Sequence, residues 1–298
     1  MVRVTVAIPF FNNGQTLGAA VQSVFCQTYK DWELILLDDG SVDNSLAIAQ
    51  SICDQRVRVL TDGRNKGLAH RLNQAVTLAR GELFSRVDAD DLMHPERLAT
   101  QVEYLRVHPD VDLIGASMYT TNPVNVPLGF QAPVAWNGFR SFIHATATGR
   151  TVWFRLNPYD PFYLRGEDLE LSVRTQRSAN VANLPQPLYF YCKHGCYNYR
   201  KYWKGYVWER RIIRRYGPLY RGRCWTYFQL AATWGKVILH AAVHLTGIEE
   251  MLVGRRVRRL SAEEHAAADL TIAKILRTPV PGLYHTPVEA DHGTPSMA

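Results

Sequence analysis

Residues 86 to 91 read Arg-Val-Asp-Ala-Asp-Asp, just after Leu83-Phe84, the expected end of a buried strand. Asp88 and Asp90 are two apart, so an extended chain points both side chains to one side, where they can converge on a cation. Neighbouring carboxylates repel each other and resist burial, so a positive partner is expected among them. A hard divalent ion, Mg²⁺ or Mn²⁺, shared with substrate phosphates suits such oxygen ligands. The plainer reading is a solvated turn with an Asp helix cap, since His94-Pro95-Glu96-Arg97 opens a helix just beyond. A second acidic pair, Glu167-Asp168, stands far away in sequence. Arg174 and Arg177 follow it, as suits a helix with favourable terminal charges. A third pair, Asp38-Asp39, precedes Gly40-Ser41 and reads by itself as an Asx turn.

The segments that must position these carboxylates alternate in type. Residues 4–8 read as a strand ending at Pro9, residues 32–37 and 57–60 as further strands, and residues 81–84 as a fourth. Between them lie a helix over 15–26 with Leu17, Val21 and Val24 on one side, one through Leu46 and Ala49 capped by Ser41 or Asp43, and one holding Leu68, Leu72 and Ala75. Such repetition predicts an α/β fold, a mostly parallel sheet covered by helices on both faces. Ligands bind such sheets beyond the C-terminal strand ends, where residues 9–12, 38–41 and 86–91 all fall. Further on, Leu98, Val102 and Leu105 mark an amphipathic helix over 95–107, followed by short strands at 111–114 and 184–191. Residues 121–137, rich in Pro and Gly, read as an irregular loop. Leu169, Leu171 and Val173 have strand-like spacing, but the terminal charges favour a helix there.

At 298 residues the chain can bury a full core and carry an appendage. Its net charge of +7 suggests an anionic partner without saying which. The distribution is more telling: from Arg200 to Arg223 nine Lys or Arg face one acid, Glu209, and Trp and Tyr are interleaved with them. Residues 1–199 therefore read as the α/β domain, residues 200–278 as a basic, aromatic-rich helical extension, and residues 279–298, with four prolines, as a disordered tail. The five cysteines, an odd and sparse set, argue against a disulfide scaffold and fit a reducing compartment. Cys192 and Cys196 lack the second pair a zinc site needs. The apolar run at the start is too short for a leader, and no stretch has the apolar length of a membrane span.

Several separated signatures follow one another in order. They are Val6-Ala7-Ile8-Pro9 with Phe11-Asn12, then residues 23–29 (Ser-Val-Phe-Cys-Gln-Thr-Tyr), then Trp32-Glu33-Leu34-Ile35 running into Asp38-Asp39-Gly40-Ser41. Later come Asn65-Lys66-Gly67 with Arg71 and Asn73, the 86–91 cluster with Pro95 and Arg97, and Gly166-Glu167-Asp168 with Leu171 and Arg174. Over residues 3–195 the chain closely resembles the inverting nucleotide-sugar glycosyltransferases of family 2, which are built on the GT-A fold. It departs from their pattern at Phe10-Phe11-Asn12, where Tyr-Asn is commoner, and at Tyr191-Cys192-Lys193-His194. The resemblance implies that Asp39 reads a uracil-like base, with Pro9, Phe11 and Asn12 shaping the same pocket and Asn65 and Arg71 touching the nucleotide; Arg71 reads equally as a surface helix residue with its stem packed. It implies that Asp88 faces ribose or metal and that Asp90 bridges a divalent cation, Mn²⁺ or Mg²⁺, to the diphosphate. His194 is a candidate third metal ligand, since imidazole coordinates such ions. Asp168 is the expected base and Glu167 its orienting or acceptor-binding neighbour, while His144 reads as either a site-lining residue or a satisfied structural histidine. Asp91 reads as a helix cap or supporting group. Arg86 and Arg97 read as either phosphate contacts or ion-pair partners of the aspartates.

The expected reaction is metal-dependent transfer of one sugar, with inversion, from a nucleotide diphosphate sugar, with uridine as the expected base. The expected acceptor is a glycan or a lipid-linked saccharide. A nucleotidyltransferase would need a basic Gly-rich loop after the first strand, and residues 9–14 hold no cation. A nucleic-acid-binding protein would account for the basic aromatic stretch but leave the separated acidic pairs without purpose. Residues 200–245 are expected to hold a cytoplasmic catalytic domain against an anionic membrane surface, the cytoplasmic face of an inner membrane.

Overall fold

The computed structural model describes residues 3–137, 139, 141–193, 199–246 and 257–283. Strands β1 (Val4–Phe10), β2 (Trp32–Asp38), β3 (Val57–Leu60) and β4 (Leu83–Arg86) pair in parallel, in the order β3-β2-β1-β4. Helices α1 (Leu17–Phe25), α2 (Ser45–Ser51) and α3 (Leu68–Leu78) make the crossovers. Side-chain alternation along β1 and β2 sorts the core into two layers. Val4, Val6, Ile8, Leu34 and Leu36 pack with α1 and with α4 (Arg97–Val107) on one face. Ala7, Ile35 and Leu37 pack with α3 and with α5 (Thr151–Leu156) on the other. Pro9 sits inside β1, one residue short of the strand's end. β4 pairs no further than Ala7, and Val87 N–H closes on the Ala7 carbonyl, so the missing Pro9 N–H faces a side that β4 has already left.

Beyond β4 the sheet becomes mixed. Its remaining strands are β5 (Leu92–Met93), β6 (Leu113–Thr121), β7 (Pro127–Gln131), β8 (Thr148–Arg150) and β9 (Val181–Cys192), ordered β4-β8-β6-β9-β5 with β7 on β6. β6 is longer than the 111–114 strand expected, because its small central residues Gly115, Ala116 and Ser117 carry little hydrophobic signal while lying buried. Residues 127–131, expected to be irregular, form β7, with Pro127 at the strand start where a missing donor is tolerated.

After β9 come α7 (Tyr199–Tyr220), α8 (Arg223–Thr246) and α9 (Ala262–Leu276). α7 and α8 approach closely at Gly217, where a Cβ would lie 2.6 Å from Thr226 Oγ1. α9 opens on a capping box, Ser261 and Glu264 each accepting the other's backbone N–H. It packs Ala268, Ile272 and Ile275 against Cys26 at the end of α1 and against Leu92 and Phe190 of the sheet. The Gln22 amide donates to the carbonyls of Leu276 (2.8 Å) and Thr278 (3.2 Å). The segment expected to be a loose tail from Pro279 begins as a packed strap: Val280 is buried, and Cys53 N–H donates to the Pro281 carbonyl at 2.8 Å. Residues 284–298 lie outside the described residues.

Candidate active site

The ends of β1 and β2 are tied into one floor. Asp39 N–H donates to the Phe10 carbonyl, Val42 N–H to Asn12 Oδ1 (2.9 Å), and Asn12 N–H to Ser41 Oγ (3.1 Å). Gly40 turns the chain at φ +78°, and a Cβ there would sit 2.9 Å from the Arg64 carbonyl carbon, so only glycine lets the 61–67 loop lie this close. Asp38 belongs to the turn. It accepts from Ser41 N–H (2.9 Å) and Thr61 Oγ1 (2.8 Å), and although burial pushes its carboxyl up, these bonds hold it below the usual range. Asp39 accepts from Lys66 N–H (2.8 Å), Gly67 N–H (3.0 Å) and Arg71 Nε (2.8 Å). Arg71, expected to touch the nucleotide, is buried and occupied by Asp39, Asp62, Gln74 and the Arg64 carbonyl. It positions Asp39. Arg71 and Lys66 in turn hold Asp62 well below the usual carboxylate range. Phe11 is 45% exposed at the rim beside Asn12, and Asn65 is exposed on the loop opposite.

The acidic cluster is not extended. After Val87 the chain leaves β1 and turns, with Asp91 N–H bonded to the Asp88 carbonyl, so a turn and not strand alternation keeps Asp88 and Asp90 together. Asp91 caps no helix. It is buried and accepts Cys192 N–H at 2.7 Å, tying the turn to β9. Burial, then the charges of Asp88 and Asp90, pushes the Asp91 carboxyl well above the usual range. Arg86 is buried beneath the turn. It donates through one nitrogen to Asp88 and through the other to His144 Nδ1. A donor facing Nδ1 puts the imidazole proton on Nε2, which faces the Tyr159 hydroxyl at 2.8 Å. Burial, and then Arg86, holds His144 well below its ordinary pKa, so it stays neutral. Arg97 touches none of the aspartates. It lies behind the site, donating to Ser85 Oγ and to the carbonyls of Arg86 (3.1 Å) and Ala147 (3.0 Å).

α6 (Glu167–Thr175) brings the second acidic pair to this cluster. Gly166 precedes it at φ +75°, a left-handed turn that starts the helix directly on Glu167 and Asp168. Asp168 is half-buried; Glu167 is buried. Burial, with the Asp168 charge next, pushes Glu167 up to about 7 against the pull of Arg86. Tyr159 feels Arg86, Glu167, Asp168 and Asp88, and Tyr191 feels Asp91, Asp88, Asp90 and Asp168. The two acidic sites thus share one electrostatic neighbourhood. Asn73 fixes Tyr159 there by clamping its backbone N–H (2.9 Å) and carbonyl (2.8 Å). On the far side of α6, Glu170 is fully buried between Arg174 Nε (2.9 Å) and the Tyr216 hydroxyl of α7. Ile212 of α7 lies 3.7 Å from where a Gly166 Cβ would be. A cleft of about 420 Å³ opens beside this contact, lined by Phe162, Tyr163, Arg211, Arg214 and Arg215.

Sequence reading did not find Tyr159, Glu170 or Tyr216. Tyr159 lies in an irregular segment with no motif, and the Glu170–Tyr216 bond spans 46 residues. His194 lies outside the described residues. Among the described residues, no three His, Cys, Asp or Glu converge as a metal-ligand set. The donor chemistry at the 88–91 turn still suits a hard cation: Asp88 and Asp90 supply oxygens, and the neighbouring Asp91 Oδ2 is buried without a hydrogen-bond partner among the described residues. Two carboxylates leave coordination positions for water and diphosphate oxygens, as Mg²⁺ prefers.

Comparison with known proteins points one way. The profile of the family described as Glycosyl transferase family 2 matches residues 5–154. Glycosyltransferase GlyG of Streptococcus pneumoniae is 34% identical over 118 residues, 39% of this chain and 39% of that protein. WfgD of Escherichia coli is named UDP-Glc:alpha-D-GlcNAc-diphosphoundecaprenol beta-1,3-glucosyltransferase. It is 33% identical over 102 residues, 34% of this chain and 40% of that one. The matched part of the chain thus spans about two fifths of these relatives' length. The mannosyltransferase PcManGT of Pyrobaculum calidifontis, solved with GDP-Man and Mn²⁺, superposes with a TM-score of 0.59 at 16% identity over 92% of this chain and 85% of that one, a likeness of fold.

Proposed function

Because the chain belongs to glycosyl transferase family 2, we propose that it transfers one sugar from a nucleotide diphosphate sugar to an acceptor hydroxyl with inversion at the anomeric carbon. The observation that carries this is the meeting of Glu167 and Asp168 with the Arg86–Asp88 cluster at the C-terminal end of β4, the same edge of the parallel sheet at which β2 runs into Asp39. An alcohol is a poor nucleophile, so a single displacement needs a base held behind the anomeric carbon. Asp168, half-buried in the first turn of α6, takes the acceptor proton. Glu167, held near neutrality by burial, is protonated part of the time and can donate a hydrogen bond to acceptor or donor sugar. Arg86, fixed by His144 and kept charged by Asp88, adds positive potential beneath the leaving diphosphate.

Asp90 and Asp88 would hold a divalent ion, Mn²⁺ or Mg²⁺, which supplies charge neutralisation for the leaving nucleoside diphosphate. On the nucleotide side, the exposed Phe11 ring and the Asn12 and Asn65 loops flank Asp39. A carboxylate accepts only, which fits the imide N–H of uracil, and a uridine diphosphate sugar is the donor proposed. The arginine-lined cleft beside α6 favours an acceptor that carries negative charge, such as a saccharide on a lipid diphosphate. Such an acceptor would place the enzyme at the cytoplasmic face of a membrane.

The test is a panel of sugar nucleotides with Mn²⁺ or Mg²⁺, read by released nucleoside diphosphate, with the product anomer assigned by NMR. Asp168→Asn should lose at least about 100-fold in turnover while nucleotide affinity by calorimetry stays near wild type. Retention of anomeric configuration, or an equal loss of donor affinity in this variant, would overturn the assignment of roles.

A further inference from the structure

We infer that the outward face of α8 lies on an anionic phospholipid bilayer, in the plane of its headgroups. The inference stands on the surface of this helix and goes beyond the transfer reaction. Five of the large apolar side chains of α8 lie on the outside, while Val237 is buried and Trp225 and Leu230 are half-buried. Tyr227 is 70% exposed, Phe228 68%, Ile238 66%, Leu239 52% and Trp234 49%. Their separations of four, seven and eleven residues make one stripe along the helix, with exposed Ala231 and Gly235 filling it. The side toward the rest of the chain is the more polar one, with Thr226 and Thr233 buried beside Val237. A soluble helix has the reverse arrangement, and a contiguous apolar stripe of this kind marks a surface that is covered in use.

Charge decides which cover fits. α8 contains no acid, and its charged residues are Arg223, one turn before Tyr227, and Lys236. Lys236 is matched by Glu209 at 3.2 Å, and Glu209 is the one acid in the preceding helix. The exposed face of α7 carries Lys204, Arg211, Arg214 and Arg215; Arg215 is paired with Asp160 at 3.3 Å, and the three arginines also line the cleft described above. The hairpin therefore presents an apolar helix beside a cationic one, the pairing that an anionic interface takes up. A second copy of the hairpin would bring like charges together. Trp234 is also built for a headgroup layer: Arg210 stacks over its ring at 4.2 Å and Trp203 packs at 6.4 Å, leaving its other half outward. No helix among the described residues is long and apolar enough to cross a membrane, so α8 lies on the surface.

Sedimentation of the full chain with vesicles tests this. The protein should pellet with phosphatidylcholine–phosphatidylglycerol vesicles, much less with phosphatidylcholine alone, and be partly released by salt. The triple variant Phe228→Ser, Ile238→Ser, Leu239→Ser should bind the anionic vesicles at least about ten-fold more weakly. Its melting temperature and circular dichroism should match wild type, because all three side chains are exposed. Wild-type protein that ignores anionic vesicles at low salt overturns the inference, as does a folded triple variant that binds like wild type. A lipid-free dimer in sedimentation velocity that the triple variant converts to monomer assigns the face to a second copy instead, and also overturns it. None of these outcomes bears on sugar-nucleotide turnover, which is assayed separately.

Discussion

Glu167 gives the fold a pH dependence whose sign is set by burial. Its folded pKa is about 7, whereas an unfolded glutamate titrates near 4.3. Between those values the folded chain binds the extra proton, so stability falls as pH rises through the window and levels off above about 7. Glu167→Gln should remove that slope and, at pH 8, exceed wild type in stability by up to about 4 kcal/mol. Urea melts at pH 5 and pH 8 check it, and identical slopes in the two proteins would show that Glu167 is ionised in the fold. Asp90 makes a separate prediction. Asp90→Asn keeps the size of the side chain but removes a charge from the 88–91 turn, and should cut turnover at least about 100-fold at saturating Mn²⁺. A variant of near wild-type activity would exclude Asp90 from the donor diphosphate.

Between elements, α6 is the part that must be aimed. Its first turn carries Glu167 and Asp168, and its next residue toward the core, Glu170, is held from two sides by Arg174 and Tyr216. Tyr216→Phe removes a hydrogen bond to a fully buried carboxylate and should cost about 1–3 kcal/mol of stability. It should lower transfer more than nucleotide affinity, because the Asp39 floor sits on other strands and is untouched. Denaturant midpoints and donor calorimetry on one preparation separate the two effects. The same logic explains the 65–73 motif. Lys66, Gly67 and Arg71 hold Asp39, while Asn73 holds Tyr159, so one loop and helix set both halves of the site.

For the molecule as a whole, the C-terminal region is not one appendage. α7 and α8 form a hairpin against α6, whereas α9 and the 279–283 strap return to α1 and α2. Ile275 is fully buried against the catalytic sheet. Ile275→Ala should therefore destabilise the whole catalytic domain by about 2–4 kcal/mol in a single cooperative transition. An early separate transition would mean that α9 unfolds on its own. The parallel half of the sheet, its crossover helices and the carboxylates at its strand ends were legible in sequence, because short-range periodicity and turn chemistry determine them residue by residue. Read locally, Asp39, Asp88, Asp90, Glu167 and Asp168 are turn and helix-end residues, and only the resemblance over residues 3–195 gave them their expected roles. The mixed half of the sheet was less legible, since β6 is built of small residues and β7 exists only through pairing with β6. Tertiary structure alone decided that Arg71 serves Asp39, that Asp91 joins β9, and that Arg86, His144 and Tyr159 form a buried chain. Those contacts join residues from 15 to 101 positions apart, and whether a charged side chain there meets a ligand, a partner or water depends on what the fold packs against it.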